Sequence, residues 1–349
     1  YTDQTLELLA FSEEISNQPT ITEFTKVDLT GGQEIEGAKM QILDQEGKVV
    51  EEWVSKKEAH VVYALAPGEY ILHEEQAPTE QGYVRAEDVK FVVEETGDVQ
   101  KVKMEDDHTK VSISKTDITD GKEIEGAKLQ ILDQDGEVVE SWTTGEEHLI
   151  EYLPVGTYTL HEEAAVDGYI VANDVEFTVE ETGEIQKVKM EDERAMGQLV
   201  IVKTDTDSKA ALEGVEFVLL EKETGKEVGR LKTGKDGKAV SELLPIGTYE
   251  NGVFKEPITY VLKETATLKG YEKTEEEWEI VFTYQNDKTP VIEVVKEIQN
   301  KKIPETPGTV KPGPKTGDDT NWFLPLLALG VSAGMVAGLL YYRKRHKKA

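Results

Sequence analysis

The segment EIEGAKMQILDQEGKVVEEW at 34–53 returns as EIEGAKLQILDQDGEVVESW at 123–142, and a diverged third copy opens LEGVEFVLLEKETGKEVGRL at 212–231. No other feature restricts the fold as much. A period of about 90 residues is too long for a solenoid unit, which needs its neighbours to cover it, and long enough for each copy to close its own core. Inside each copy, short apolar/polar alternations are separated by turn signals such as Glu46-Gly47, Asp135-Gly136 and Asp236-Gly237. Alternation with period two marks strands with one buried face, and no long segment repeats every 3.6 residues. The expected fold class is therefore all-β, with three tandem β-sandwiches at 20–108, 109–194 and 195–303. Residues 1–19 are expected to end an upstream region, because the chain opens at Tyr1 with neither an initiator Met nor a signal-peptide pattern.

Charge and composition remove several function classes. Lys and Arg number 39 against 70 Asp and Glu, a net charge of −31 that repels phosphate backbones, so no nucleic-acid partner is expected. None of the 349 residues is cysteine, which excludes disulfides, thiolate zinc sites and Cys nucleophiles. His73-Glu74 and His161-Glu162 begin like a zinc-protease motif, but no second His follows at the required spacing. Asp205, Asp207 and Glu213 imitate a calcium loop, yet Lys209 and Ala210 occupy the third-ligand and glycine positions, so the segment reads as a strand-exit turn. No metal and no cofactor are expected.

Strand parity is where chemistry enters. Side chains at i, i+2 and i+4 share one face of a strand. The opening strands place Phe24 with Lys26, then Val111 and Ile113 with Lys115, then Leu199 and Ile201 with Lys203. A middle strand places an acid among apolar residues in the same way: Tyr70, Leu72 and Glu74; Tyr158, Leu160 and Glu162; Tyr260, Leu262 and Glu264. The last strand adds a carbonyl side chain: Val102, Met104 and Asp106; Val188, Met190 and Asp192; Ile298 and Asn300. The opposite face of that strand is charged in the first two copies (Lys101, Lys103, Glu105 and Lys187, Lys189, Glu191), whereas in the third Lys296 shares the face of Ile298.

Three polar groups directed into one core are costly unless they compensate one another. Desolvation lowers a lysine's pKa and raises a carboxyl's, so burial favours a neutral amine beside a protonated acid. A neutral amine is a nucleophile, and fixed geometry against an acyl carbon makes amide formation unimolecular. A protonated Glu between the two polarises the carbonyl and carries protons. The outcome is an internal Lys–Asp or Lys–Asn isopeptide bond, with expulsion of water or ammonia. The alternative is a non-covalent Lys–Glu ion pair at the sandwich edge.

At these residues the chain resembles the Cna B-type, SpaA-like (prealbumin-like, Ig-like) domains of pilins and adhesins. Their Lys-x-Asp first strand stands here as KVD (26–28), KTD (115–117) and KTD (203–205). Their Tyr-x-Leu-x-Glu segment leading to Gly-Tyr stands as YILHEEQAPTEQGY (70–83), YTLHEEAAVDGY (158–169) and YVLKETATLKGY (260–271). The resemblance implies bonds Lys26–Asp106, Lys115–Asp192 and Lys203–Asn300, assisted by Glu74, Glu162 and Glu264. Copies one and two have Asp where the family often has Asn. Glu105 and Asp107 are rival acceptors beside Asp106, although parity turns Glu105 away.

The C-terminal end carries a second resemblance. Residues 304–320 are dense in Pro and Gly and read as an extended spacer. Residues 321–342 contain the uncharged stretch WFLPLLALGVSAGMVAGLLYY, long enough as a helix to cross a bilayer. Arg343, Lys344, Arg345, Lys347 and Lys348 follow at 343–349 and would stay cytoplasmic, leaving the preceding residues outside. This order resembles the sorting signal of Gram-positive wall proteins: a Leu-Pro-x-Thr-Gly pentapeptide, a hydrophobic span and a basic tail. The pentapeptide reads Gly313-Pro314-Lys315-Thr316-Gly317, with Gly in place of Leu. The resemblance implies that a sortase cleaves after Thr316 and joins it to peptidoglycan, and that an uncleaved precursor stays in the membrane.

The function expected is that of a cell-wall-anchored extracellular stalk displaying an upstream region. It would not be an enzyme, since closing its own bonds is a single-turnover event. The alternatives are a sortase-assembled pilus subunit, or the spacer of a surface enzyme whose catalytic domain lies upstream. Residues 20–303 contain no Tyr-Pro-Lys-type polymerisation motif and no nucleophile–base–orienter set. A host or matrix protein ligand is the remaining partner class, and the sequence names none.

Overall fold

The computed structural model describes residues 18–304. The expected upstream end (1–19, apart from its last two residues), the sorting motif 313–317, the span 321–342 and the basic tail lie outside the described residues. Among the described residues no helix is long and apolar enough to cross a membrane.

Each copy forms a sandwich of two sheets. In the first, Val49–Val54, Lys39–Leu43, Gly68–Gln76 and Val89–Val93 make an antiparallel sheet in that spatial order. The facing sheet has the opening strand Ile21–Asp28 in its centre, antiparallel to His60–Tyr63 and parallel to the closing strand Val99–Asp106. Parallel neighbours cannot be joined by a tight turn. Here the whole remainder of the module is the connection between them. The second copy repeats the plan, with Lys110–Asp117 parallel to Ile185–Arg194. The third does so with Met196–Asp205 parallel to Val291–Asn300, and adds a hairpin of Gly247–Glu250 and Val253–Pro257.

Alternation decides what is buried. Phe24, Met40, Ile42, Leu72 and Met104 come from both sheets of the first module and meet in its core. Val111, Ile113, Leu129, Ile131, Leu160 and Met190 do the same in the second. The third core is larger, adding Tyr260, Trp278 and Phe282 to Leu199, Ile201, Phe217, Leu262 and Ile298. Lys296, the residue that spoils the alternation there, lies over the Trp278 ring at 5.8 Å from its centroid.

The first joint centres on Asp28 of the first Lys-x-Asp motif, and the second on Arg194, which Asp117 of its own module holds in place. Tyr152 of the second module donates its hydroxyl to Asp28 Oδ2 at 2.8 Å, and its ring stacks on His108 with centroids 3.9 Å apart. Its backbone is left-handed (φ 62°), as is that of Ala64 at the matching position of the first module (φ 61°). Gly82 is required beside it, because a Cβ there would lie 2.4 Å from the Tyr152 backbone. At the next joint Arg194 Nε donates to Asp117 Oδ2 at 2.6 Å, and the guanidinium lies 4.1 Å from the centre of the Tyr249 ring. Tyr249 and Tyr284 donate their hydroxyls to the Gly168 and Tyr169 carbonyls. Burial raises the pKa of Asp28, but hydrogen bonds from Gly31, Thr30 and the Tyr152 hydroxyl outweigh it and hold the carboxyl below its ordinary range.

Candidate functional site

The parallel pairing of first and last strands sets up the candidate site in each module. Lys26 is level with Met104 and Asp28 with Asp106, so Asp106 lies two residues further along the neighbouring strand than the lysine's own partner, on the same face. Lys115 and Asp192 have the same offset, as do Lys203 and Asn300. A diagonal of two residues is within reach of a long side chain. Lys26 Nζ donates to Asp106 Oδ1, Lys115 Nζ to Asp192 Oδ1 and Lys203 Nζ to Asn300 Oδ1.

The glutamates come from the facing sheet. Lys26 Nζ donates to Glu74 Oε2 at 2.8 Å. Lys115 Nζ is 2.9 Å from Glu162 Oε2, and Lys203 Nζ is 2.8 Å from Glu264 Oε2. The lysines are 3%, 2% and 0% exposed and the glutamates 0%, 2% and 4%, so the pairs lie within the cores and not at a sandwich edge. The rival acceptors are engaged elsewhere: Glu105 pairs with Lys103 on the exposed face, and Asp107 accepts from Lys110 Nζ at 2.6 Å.

One local device recurs that the sequence reading lacks. Directly after each glutamate the strand pairing skips one residue: Glu75 in the first module, Glu163 in the second and Thr265 in the third. Such β-bulges bend a strand and re-aim the side chains beside them. In the first two modules the glutamate is also held by a backbone amide, with Ala86 N donating to Glu74 Oε2 at 2.8 Å and Ala172 N to Glu162 Oε2 at 2.6 Å. In the third, Glu264 Oε1 instead accepts from Asn300 Nδ2 at 2.7 Å. No period or motif marks the alanine amides, because any residue supplies an N–H.

Burial shapes the electrostatics of each cluster. Desolvation pushes Asp106 up to about 7; the Glu74 carboxyl adds to the rise through its charge and a hydrogen bond, and Lys26 opposes it. Asp192 is pushed up to about 7 by burial, again with Glu162 adding and Lys115 opposing. Two carboxyls in one dry site cannot both ionise cheaply. The buried oxygens Glu74 Oε1 and Asp106 Oδ2 have no donor facing them, nor have Glu162 Oε1 and Asp192 Oδ2. A single proton shared by each pair would supply the missing donor. In the third module the acceptor is uncharged and the burden shifts to the amine: burial lowers the pKa of Lys203 against the opposing pull of Glu264. Each cluster thus holds an amine, an acyl carbon and a proton carrier within contact distance, which are the parts an amide-forming step requires.

The SpaA prealbumin-like fold domain model matches residues 20–108, 109–194 and 197–257. The third match ends before Glu264 and Asn300, although the strands bearing them complete the same sandwich. No curated protein matches the chain. Among solved structures, the Bacillus anthracis TIE protein is 28% identical, with a TM-score of 0.55 over 82% of this chain and 51% of that chain. This chain therefore spans about half of that protein's length. The major pilin subunit of Bacillus cereus is 15% identical with a TM-score of 0.46, covering 82% of this chain and 100% of that chain. A streptococcal ancillary pilin is 16% identical with a TM-score of 0.33 at the same coverage.

Proposed function

The chain belongs to the SpaA prealbumin-like fold domain family, and from that premise we propose that it is an extracellular stalk whose three sandwiches are each closed by an internal amide bond. The bonds join Lys26 to Asp106, Lys115 to Asp192 and Lys203 to Asn300. Glu74, Glu162 and Glu264 take a proton from the amine and return it to the leaving group. In the first two modules water departs, and in the third ammonia. The observation that carries this reading is the burial of each lysine amine in contact with both a glutamate and an acyl side chain on the parallel strand beside it.

The lysine and its acceptor are 80, 77 and 97 residues apart. Closing loops of that size restricts the unfolded chain by about 4–5 kcal/mol per module in the entropic model of cross-links. Unlike a disulfide, an amide is not reduced, which suits a cysteine-free protein bearing load outside the cell. The anchor belongs to the same proposal: a sortase would cleave between Thr316 and Gly317 and attach Thr316 to peptidoglycan, after the span at 321–342 has held the precursor in the membrane. The order of spacer, pentapeptide, apolar span and basic tail supports it.

Intact-mass measurement of the folded chain tests the bonds. The expected mass is two waters and one ammonia below that calculated from the sequence, and Lys26→Met, Lys115→Met and Lys203→Met each restore one of the three losses. Each of these variants is also expected to unfold in urea with about 4–5 kcal/mol less stability in the affected module. A chain of full calculated mass would leave only non-covalent sandwiches.

A further inference from the structure

A carboxamide differs from a carboxylic acid in one way that matters here: its two ends are chemically distinct, and only one can leave. The third module contains a contact that addresses this difference. Asn300 Oδ1 accepts from Lys203 Nζ, while Asn300 Nδ2 donates both to Glu264 Oε1 and to Thr267 Oγ1, each at 2.7 Å. The hydrogen-bond network around an amide decides which end points where. With two acceptors on Nδ2 and one donor on Oδ1, the amide has a single satisfied orientation. Its nitrogen faces the glutamate and its carbonyl faces the amine.

Counting three residues from the glutamate, the first two modules have Ala77 and Ala165 where the third has Thr267. The hydroxyl thus accompanies the Asn acceptor and is absent from both Asp sites. Either oxygen of Asp106 or Asp192 can be the one that departs as water, so no orienting partner is required there. The β-bulge at Thr265 is what turns Thr267 toward the site.

From this we propose, building on the closure chemistry above, that Thr267 is an orienting residue specific to the Lys203–Asn300 reaction. It holds the carboxamide so that Glu264 delivers its proton to the nitrogen that leaves. Glu264 takes one proton from the Lys203 ammonium, and Nζ then attacks the Asn300 side-chain carbonyl carbon. The new C–N bond forms as the bond to Nδ2 breaks. Glu264 passes its proton to Nδ2 and takes the second amine proton, so that ammonia, a secondary amide and a protonated Glu264 remain. A flipped amide would turn its oxygen to Glu264 and its leaving nitrogen to the incoming amine.

The test follows closure in newly synthesised full-length chain by pulse labelling, reading the Lys203–Asn300 linked peptide by mass spectrometry. Thr267→Val keeps the shape and removes the oxygen; it is expected to slow this closure by about tenfold, the worth of one hydrogen bond to the reacting group. Thr267→Ser is expected to restore the rate. In an Asn300→Asp background the same Val substitution is expected to change nothing. The Lys26–Asp106 and Lys115–Asp192 peptides in the same samples report that synthesis and folding are intact. Closure of Thr267→Val at the unsubstituted rate, or equal slowing with Asn and with Asp at 300, overturns the orienting role. Absence of any Lys203–Asn300 peptide from the unsubstituted chain overturns the closure chemistry itself, together with this inference.

Discussion

The first two modules and the third arrange the same three groups around different acceptors, and burial acts on a different member in each case. Where the acceptor is Asp, desolvation raises the acid: Asp106 and Asp192 are pushed up to about 7. Where it is Asn, no second charge competes, and desolvation lowers the amine of Lys203 instead. The supports differ accordingly. Glu74 and Glu162 are held by the amides of Ala86 and Ala172, whereas Glu264 is held by the acceptor it serves. A carboxyl acceptor needs a proton to become an electrophile, and a carboxamide needs a fixed orientation to lose the correct end. One fold presents both kinds of acceptor with the same strand geometry.

The largest test of the comparison removes the proton carrier. Glu74→Gln, Glu162→Gln and Glu264→Gln are each expected to slow closure of their own module by roughly 10²–10⁴-fold, the usual worth of a positioned acid/base. The other two modules in the same chain should close normally. Linked-peptide mass spectrometry checks this, and closure at an undiminished rate would make the glutamates spectators.

pH should separate the two kinds of site more sharply. In the proposed chemistry the Asp sites need a neutral acid beside a neutral amine, and the neutral acid is lost as pH rises past the raised pKa. Between the two titrations that loss offsets the gain in free amine, so closure at Asp106 and Asp192 is expected to gain nothing as pH rises above about 7. The Asn site has no acid to lose, so its proposed closure should quicken as pH rises until the amine is fully free. Pulse-labelled synthesis across neutral to alkaline pH reads both kinds of site in one chain. Parallel profiles would erase the distinction between them.

The smallest effect lies at the joints, which also differ. The first depends on the Tyr152 hydroxyl donated to Asp28, and the second on Arg194 lying over Tyr249 and on the Tyr249 and Tyr284 hydroxyls donated to the Gly168 and Tyr169 carbonyls. Tyr152→Phe is expected to weaken the first joint by about 1–2 kcal/mol, the worth of a hydrogen bond to a charged group in partial contact with water. Hydrogen exchange at the Thr109 and Val155 amides, which donate across the joint to Gly82 and Thr79, would show it, with the Ala195 amide of the second joint unchanged.

Much of this was legible in the strand patterns. Alternation alone put Lys26, Glu74 and Asp106 on apolar faces, because a side-chain period of two admits only two choices and the charged alternatives fix which is outside. The same reading put the first two domains at 20–108 and 109–194, the spans over which the family model matches. Thr267 shows where such reading stops. Simple alternation from Glu264 sends residue 267 outward, but the bulged Thr265 consumes one residue of the strand and brings Thr267 back toward the site. A bulge is set by how two strands twist and pair, which the residues of one strand do not announce. Tyr152 was missed for a related reason, since its role depends on a second module arriving at the far end of the first.

Local sequence by itself therefore determined the all-β class, the repeat of three and the polar residues facing each core, because these follow from periodicity and from the cost of burying a charge. Only the tertiary structure decided that the first and last strands lie side by side and parallel, offset so that an amine meets an acyl group. That pairing joins residues 77 to 97 positions apart. Long-range register of this kind is a property of the closed sandwich, settled when both sheets bury their faces together.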